Sequence, residues 1–236
     1  MSNPAIELEH VCFKIGVFEM SDFSLSISQG EYFVLTGPNG SGKTLLIKLI
    51  AGLYRPLAGR VRLSGRDVTP TPPWNRNIGY VPQDGLLFRN RTVRGNIRFA
   101  MEVRRITSKR IEQSVDRVAH LLKIAHLLDR SVNGLSGGEC QKTALARALV
   151  FEPRVLLLDE PVSAIDEDSR DGLCHDLRRI QRALGIAVLH VSHNRREIDL
   201  VADRIGILEC GRIARVDARE SPGANPPSEA AGESRE

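Results

Sequence analysis

The chain has 236 residues, 42% of them hydrophobic and 26% charged, and a formal net charge of +4. That length supports one sizeable core or two small ones, and the composition is that of an ordinary globular protein, not a disordered or fibrous one. No apolar run approaches the roughly 20 residues of a membrane span, the N-terminus lacks a signal-peptide pattern, and the scattered basic residues read as solvated faces. The chain is therefore expected in the cytosol unless a partner holds it at a membrane, with no nucleic acid expected as a partner. Cys12, Cys140, Cys174 and Cys210 lack metal-ligand spacing and are expected as free thiols.

The run from Ile6 to Phe13 alternates with period two, the pattern of a half-buried strand. Phe23 to Ser28 does the same and ends at a hairpin turn expected at Gln29-Gly30. Tyr32 to Leu35 reads as a short buried strand. It leads into Gly37-Pro38-Asn39-Gly40-Ser41-Gly42-Lys43-Thr44, which has the form G-x-x-x-x-G-K-[ST] of a P-loop. The glycines let the backbone turn tightly and approach a phosphate with no Cβ in the way. Successive N–H groups then form an anion nest, completed by the N-terminus of the next helix. Lys43 is predicted to reach the β- and γ-phosphates, and the Thr44 hydroxyl to ligate Mg²⁺. Leu45 to Ala51 reads as the helix and Gly52 as its cap. The expected ligand is a nucleoside triphosphate.

Gly59 to Gly65 is a further strand, Pro70 to Pro73 a loop, and Ile78 to Gln83 a strand ended by Pro82 with Gln83 at its tip. From Leu86 the texture turns helical. Ile111, Val115, Val118, Ala119 and Leu122 make an apolar stripe, and Ser136-Gly137-Gly138-Glu139 opens another helix with a capping box. Residues 86–150 are thus predicted as a helical block inserted between two α/β portions, 1–85 and 151–216. Val155 to Asp159 suits a central parallel strand, with Asp159-Glu160 at the carboxyl end where open α/β sheets place ligands. A helix carrying Leu173, Leu177, Ile180 and Leu184 follows, and then a buried strand from Ile186 to Val191 delivers Ser192-His193 to the same edge. Residues 217–236 lack apolar periodicity and are predicted as a disordered tail.

Over residues 5 to 216 the motifs resemble, in order, those of the nucleotide-binding subunit of ABC transporters. Leu135-Ser136-Gly137-Gly138-Glu139 resembles the signature sequence, Val155 to Glu160 the Walker B strand, Ser163-Ala164-Ile165-Asp166 the D-loop, Gln83 the Q-loop and His193 the switch histidine. The resemblance implies a P-loop NTPase fold of the RecA-like kind: an α/β core, an N-terminal antiparallel β subdomain and an inserted α-helical signature subdomain. It also implies roles. Asp159 holds Mg²⁺ with Thr44 and Gln83, Glu160 is the general base, and His193 and Gln83 contact the γ-phosphate and attacking water. The signature binds the ATP of a second copy, so that a head-to-tail homodimer sandwiches two ATP molecules. Separate transmembrane permease subunits are implied, with a substrate-binding protein for the complex, which places the chain on the cytoplasmic face of the membrane. Glu31 through the P-loop, Leu86-Leu87-Phe88 and Thr92-Val93 most resemble importers of oxyanions such as molybdate or tungstate.

Departures stand beside the match. The family stacks adenine on an aromatic residue, and here that place falls near Ile15, with Phe13 or Phe18 as substitutes. Cys140 and Lys142 replace a common Gln and Arg, Ile165 a common Leu, and Asn194 a common Asp; a thiol at Cys140 is open to activation beside the helix start. Only the polar tail stands where such subunits often carry a regulatory domain. The alternatives are an exporter and a non-transport ABC ATPase of DNA repair or the ribosome. Repair types separate their motifs by long coiled coils and ribosomal types carry two cassettes, whereas this chain has a compact insertion and one cassette.

Overall fold

The computed structural model describes residues 3–163, 165 and 167–219. β1 (Ile6–Ile15) and β2 (Phe18–Ile27) pair antiparallel, with Ile15 opposite Phe18 across a two-residue turn at Gly16-Val17. The hairpin closes there and not at Gln29-Gly30, where the chain instead leaves this sheet for the other. The reason lies in β3 (Tyr32–Thr36): Tyr32 to Leu35 are all buried and pair in parallel with two neighbours, which only a central strand can do. β1 also changes face midway. Ile6 and Leu8 are buried, then His10 takes a positive φ of 49° at a register slip, and the buried positions become Val11 and Phe13. β4 (Ala58–Leu63) and β5 (Arg66–Asp67) complete a sheet ordered β2-β1-β4-β5.

The second sheet has the order β10-β9-β3-β8-β7-β6. In it β6 (Gly79–Val81), β7 (Val155–Asp159), β8 (Ala187–Val191) and β9 (Arg204–Glu209) run parallel with β3, and β10 (Arg212–Ala218) turns back antiparallel on β9. Alternate residues of these strands feed two cores. Phe33, Leu35, Leu157 and Leu189 pack with α1 (Lys43–Ala51) and the antiparallel sheet. Tyr32, Val34, Leu156, Leu158 and Val188 pack with the other helices: α2 (Val93–Glu102), α3 (Ser108–Leu121), α4 (Gly137–Leu149), α5 (Glu167–Leu184) and α6 (Arg195–Val201).

The helical block starts its first helix at Val93, seven residues after Leu86, because Gly85 and Leu86 both take positive φ and turn the chain out of β6. Its predicted stripe from Ile111 to Leu122 is buried, and it shares the second core with α5 and α6. β10 runs to Ala218 and so takes in the first two residues expected to belong to the tail; residues 220–236 lie outside the described residues. No described helix is long and apolar enough to cross a membrane. For the site, the decisive feature is order. β6, β7 and β8 are neighbours, so Gln83, Asp159-Glu160 and Ser192-His193 leave the sheet side by side at its carboxyl edge.

Candidate functional site

The P-loop joins β3 to α1 and its shape rests on two glycines. Gly37 has φ +144°, and a Cβ there would meet the Leu208 carbonyl oxygen at 2.1 Å. Gly42, the N-cap of α1, has φ +102°, and a Cβ there would meet the Phe18 ring at 2.2 Å. Lys43 is buried, and its Nζ donates to the carbonyls of Gly37 (2.8 Å) and Pro38 (2.9 Å) across the loop. Burial pulls its pKa down, opposed by the charges of Glu160 and Asp159. The Ser41 hydroxyl is buried within the same loop without a hydrogen-bond partner among the described residues. An ammonium, an orphan hydroxyl and a bare helix N-terminus converge on one cradle, which suits a phosphate chain.

The Thr44 hydroxyl donates to Asp159 Oδ1 at 3.0 Å. Asp159 is 4% exposed; burial pushes its carboxyl up, Thr44 opposes this and Glu160 reinforces it. Two oxygen donors, one of them a carboxylate disfavoured by its burial, are a set that fits Mg²⁺. Gln83 does not join them by hydrogen bond. Its Nε2 instead donates to Glu160 Oε2 at 3.5 Å, while His193 Nδ1 lies 3.5 Å from Glu160 Oε1. Glu160 itself holds φ +48°, a left-handed backbone for a side-chain-bearing residue, fixed by its N–H on Val191 O (3.0 Å) and by the Ser163 hydroxyl on its carbonyl (3.0 Å). The three residues foreseen at this edge thus come together around one carboxylate.

Ser136 caps α4 and both arms of the capping box form: Ser136 N–H donates to Glu139 Oε2 at 2.7 Å, and Glu139 N–H to Ser136 Oγ at 3.3 Å. Leu135 packs on the core and Gly137-Gly138 form the first turn. A Cβ on Gly138 would meet nothing within 4 Å among the described residues. Of these residues, Leu135 and Gly137 line a groove of about 1080 Å³ between the Gln83–Arg89 loop and the start of α4, whose lining includes no P-loop residue. Asp166 and Ala164 of the D-loop lie outside the described residues.

Two expectations change. Phe13 is buried and stacks on Tyr54 at 5.5 Å between ring centroids, so it is no candidate for a base; Phe18 is the aromatic that touches the P-loop. Cys140 is not activated: burial, reinforced by Glu139, pushes its thiol up. Sequence reasoning also missed Glu197 and Arg170, which line a small cavity with Glu160 and His193. The spacing Asn194-x-x-Glu197 has the form of a capping box and was the available signal, but only Asn194 caps α6; Glu197 turns inward.

Residues 20–163 match the family described as ABC transporter. The chain is 40% identical over 212 residues to the molybdate/tungstate import ATP-binding protein WtpC of Thermococcus kodakarensis, covering 90% of this chain and 64% of that protein, just under two thirds of its length. It is 44% identical over 201 residues to the protein of the same name from Archaeoglobus fulgidus, covering 85% and 82%. Among solved structures, cbiO1 of Clostridium perfringens, described as part of the ABC transporter complex cbiONQ, superposes with a TM-score of 0.82 at 25% identity, over 92% of this chain and 89% of that one. A match across both lobes of the fold, from β2 to the loop after β7, makes this chain an ATP-binding member of the ABC transporter family.

Proposed function

We propose that the chain hydrolyses ATP to drive import of an oxyanion such as molybdate or tungstate through separate permease subunits. The observation that carries the chemistry is the convergence of Gln83 and His193 on Glu160, each at 3.5 Å, one residue from the Thr44–Asp159 pair. Lys43 exchanges the carbonyls of Gly37 and Pro38 for the β- and γ-phosphates, and the P-loop N–H groups hold the remaining oxygens. Bound Mg²⁺, held by Thr44 and Asp159, supplies neutralisation of phosphate charge. Glu160 accepts the proton of the attacking water, while His193 and Gln83 orient that water and the γ-phosphate.

The signature completes the site from a second copy. The open face over Gly138, at the N-terminus of α4, suits an anion brought from outside the chain. The working unit is a head-to-tail homodimer holding two ATP molecules, docked on the cytoplasmic face of the membrane and served by a substrate-binding protein. The groove bordered by Leu86, Leu87, Val132 and Leu135 is the place for a permease segment, with Leu86 61% exposed at its rim.

The test is Glu160→Gln. An amide keeps the shape but cannot accept a proton, and general-base loss is typically worth ~10²–10⁴-fold. The variant is expected to bind Mg²⁺·ATP, turn over at a rate lower by that factor and accumulate as an ATP-bound dimer by light scattering. Adding Ser136→Arg is expected to abolish the dimer and spare ATP binding. Wild-type turnover in Glu160→Gln removes Glu160 from the role of base; a protein that binds ATP yet stays monomeric at high concentration sinks the sandwich.

A further inference from the structure

Behind the edge that carries Glu160 and His193, three segments meet around a carboxylate to which the hydrolytic reading gives no task. Glu197, in the first turn of α6, is 5% exposed, and a carboxylate withdrawn from water is strongly disfavoured unless it is paired. Its Oε2 accepts the Ser192 hydroxyl at 2.6 Å and its Oε1 lies 3.7 Å from Arg170 Nε. Burial nevertheless pushes its carboxyl up. Ser192 Oγ in turn accepts the Asn194 N–H at 3.0 Å, and Asn194 Oδ1 accepts the N–H groups of Arg196 and Glu197 at 2.9 and 3.4 Å. On the other side, Arg170 Nη2 donates to the Ile165 carbonyl at 2.9 Å.

His193 sits inside this ring without being gripped by it. Its side chain is 65% exposed and reaches Glu160 at 3.5 Å. What is fixed lies on either side: the Ser192 N–H donates to the Leu35 carbonyl at 3.2 Å, and the Ser192 hydroxyl, which accepts the Asn194 N–H, is itself oriented by the Glu197 carboxylate. Arg170 then carries the same carboxylate to the loop of Ile165, which follows the Walker B strand. A displacement of about 1 Å at a reacting group can cost roughly 10²-fold in rate, so an exposed histidine on a short loop needs such an anchorage.

We propose that Glu197 and Arg170 are positioning residues: they hold the loop bearing His193 in register with the loop bearing Ile165, so that both address the nucleotide as one unit. The proposal rests on the reading of His193 as a residue acting at the γ-phosphate. It differs from that reading in placing the control of His193 in groups that never touch ATP.

The experiment compares Glu197→Ala, Glu197→Gln, Arg170→Ala, His193→Ala and the double variant Glu197→Ala/His193→Ala in the full chain, by single-turnover ATP hydrolysis and by equilibrium ATP binding. Glu197→Ala and Arg170→Ala are expected to lower turnover about 10–100-fold with ATP affinity within threefold of wild type. Glu197→Gln, which still accepts from Ser192, is expected to recover part of the loss. The double variant is expected to be no slower than His193→Ala alone, because residues acting as a unit are non-additive. Losses that multiply in the double variant overturn the proposal, as does unchanged turnover in Glu197→Ala or a parallel loss of ATP affinity. His193→Ala at wild-type turnover strikes instead at the role of His193, a separate failure. Should Glu197→Ala not fold, Arg170→Ala, alone and combined with His193→Ala, is judged by the same outcomes: it breaks the link to the Ile165 carbonyl and keeps the Ser192–Glu197 hydrogen bond.

Discussion

Phe18 comes from β2 and Gly42 from the turn into α1, and they meet ring to backbone: a Cβ on Gly42 would stand 2.2 Å from the ring. Gly42→Ala therefore has two costs, roughly 1–2 kcal/mol for the left-handed backbone and a further amount for displacing the ring. ATP affinity is expected to fall tenfold or more by calorimetry. Phe18→Ala is expected to weaken ATP binding roughly tenfold, the order of one base–aromatic contact. Phe13→Ala has a different signature, a loss of about 3–5 kcal/mol in stability with the affinity of the folded protein unchanged. An unaltered affinity in Phe18→Ala leaves adenine to some other contact. Spacing alone did not separate these two aromatics. The positive φ at His10 shifts the buried phase of β1 and sends Phe13 into the core, and nothing about His10 as a residue type announces such a slip.

At the scale of the element, β8 carries an unusual burden. His190, the fourth of its five residues, is fully buried, with Nδ1 3.0 Å from the Tyr32 hydroxyl and Nε2 without a hydrogen bond among the described residues, 4.0 Å from Glu197 Oε2. Burial pulls its pKa from 6.5 to about 3. A lowered histidine pKa means that the unfolded chain takes up the proton first, so stability falls as pH drops from about 6.5 towards 3. At pH 5, about 1.5 units below the unfolded value, the deficit is about 2 kcal/mol. Between pH 7 and pH 5 the wild type is expected to lose that much more stability than His190→Gln, by denaturant unfolding; equal losses dismiss the assignment.

The elements themselves were largely legible. The P-loop, the capping box of α4 and the Asp159-Glu160 pair are each contiguous, so their chemistry is written in adjacent residues. Glu197, Arg170 and Arg147 were not. Arg147 donates to the carbonyls of Gly85 (2.7 Å) and Leu86 (2.8 Å), more than 60 residues away, and a surface helix arginine has no local mark of such a task. The parallel order of β6, β7 and β8 likewise depends on crossovers that no single strand encodes.

For the whole molecule, the antiparallel sheet, the parallel sheet and the helical block are joined through two cores that share the central strands. On the transport reading proposed above, a permease holds the chain at the membrane. In its native cell the chain is expected to pellet with membranes and to be released by detergent together with its permease. Leu86→Asp, a charge at the exposed rim of the groove, is expected to shift it to the supernatant by a factor of ten or more while leaving ATP binding intact. Recovery of the wild type wholly in the supernatant counts against transport. The bare surface over Gly138 has a further consequence, for how this sequence can drift. Alanine there fits the first turn of α4, meets nothing within 4 Å among the described residues and gains up to about 1 kcal/mol of helix propensity. If Gly138 meets the ATP of a second copy as proposed, a mutant library sorted for thermal stability moves away from glycine at 138 while one sorted for ATP turnover keeps it; the divergence between the two libraries at this single codon then measures a constraint imposed from outside the polypeptide.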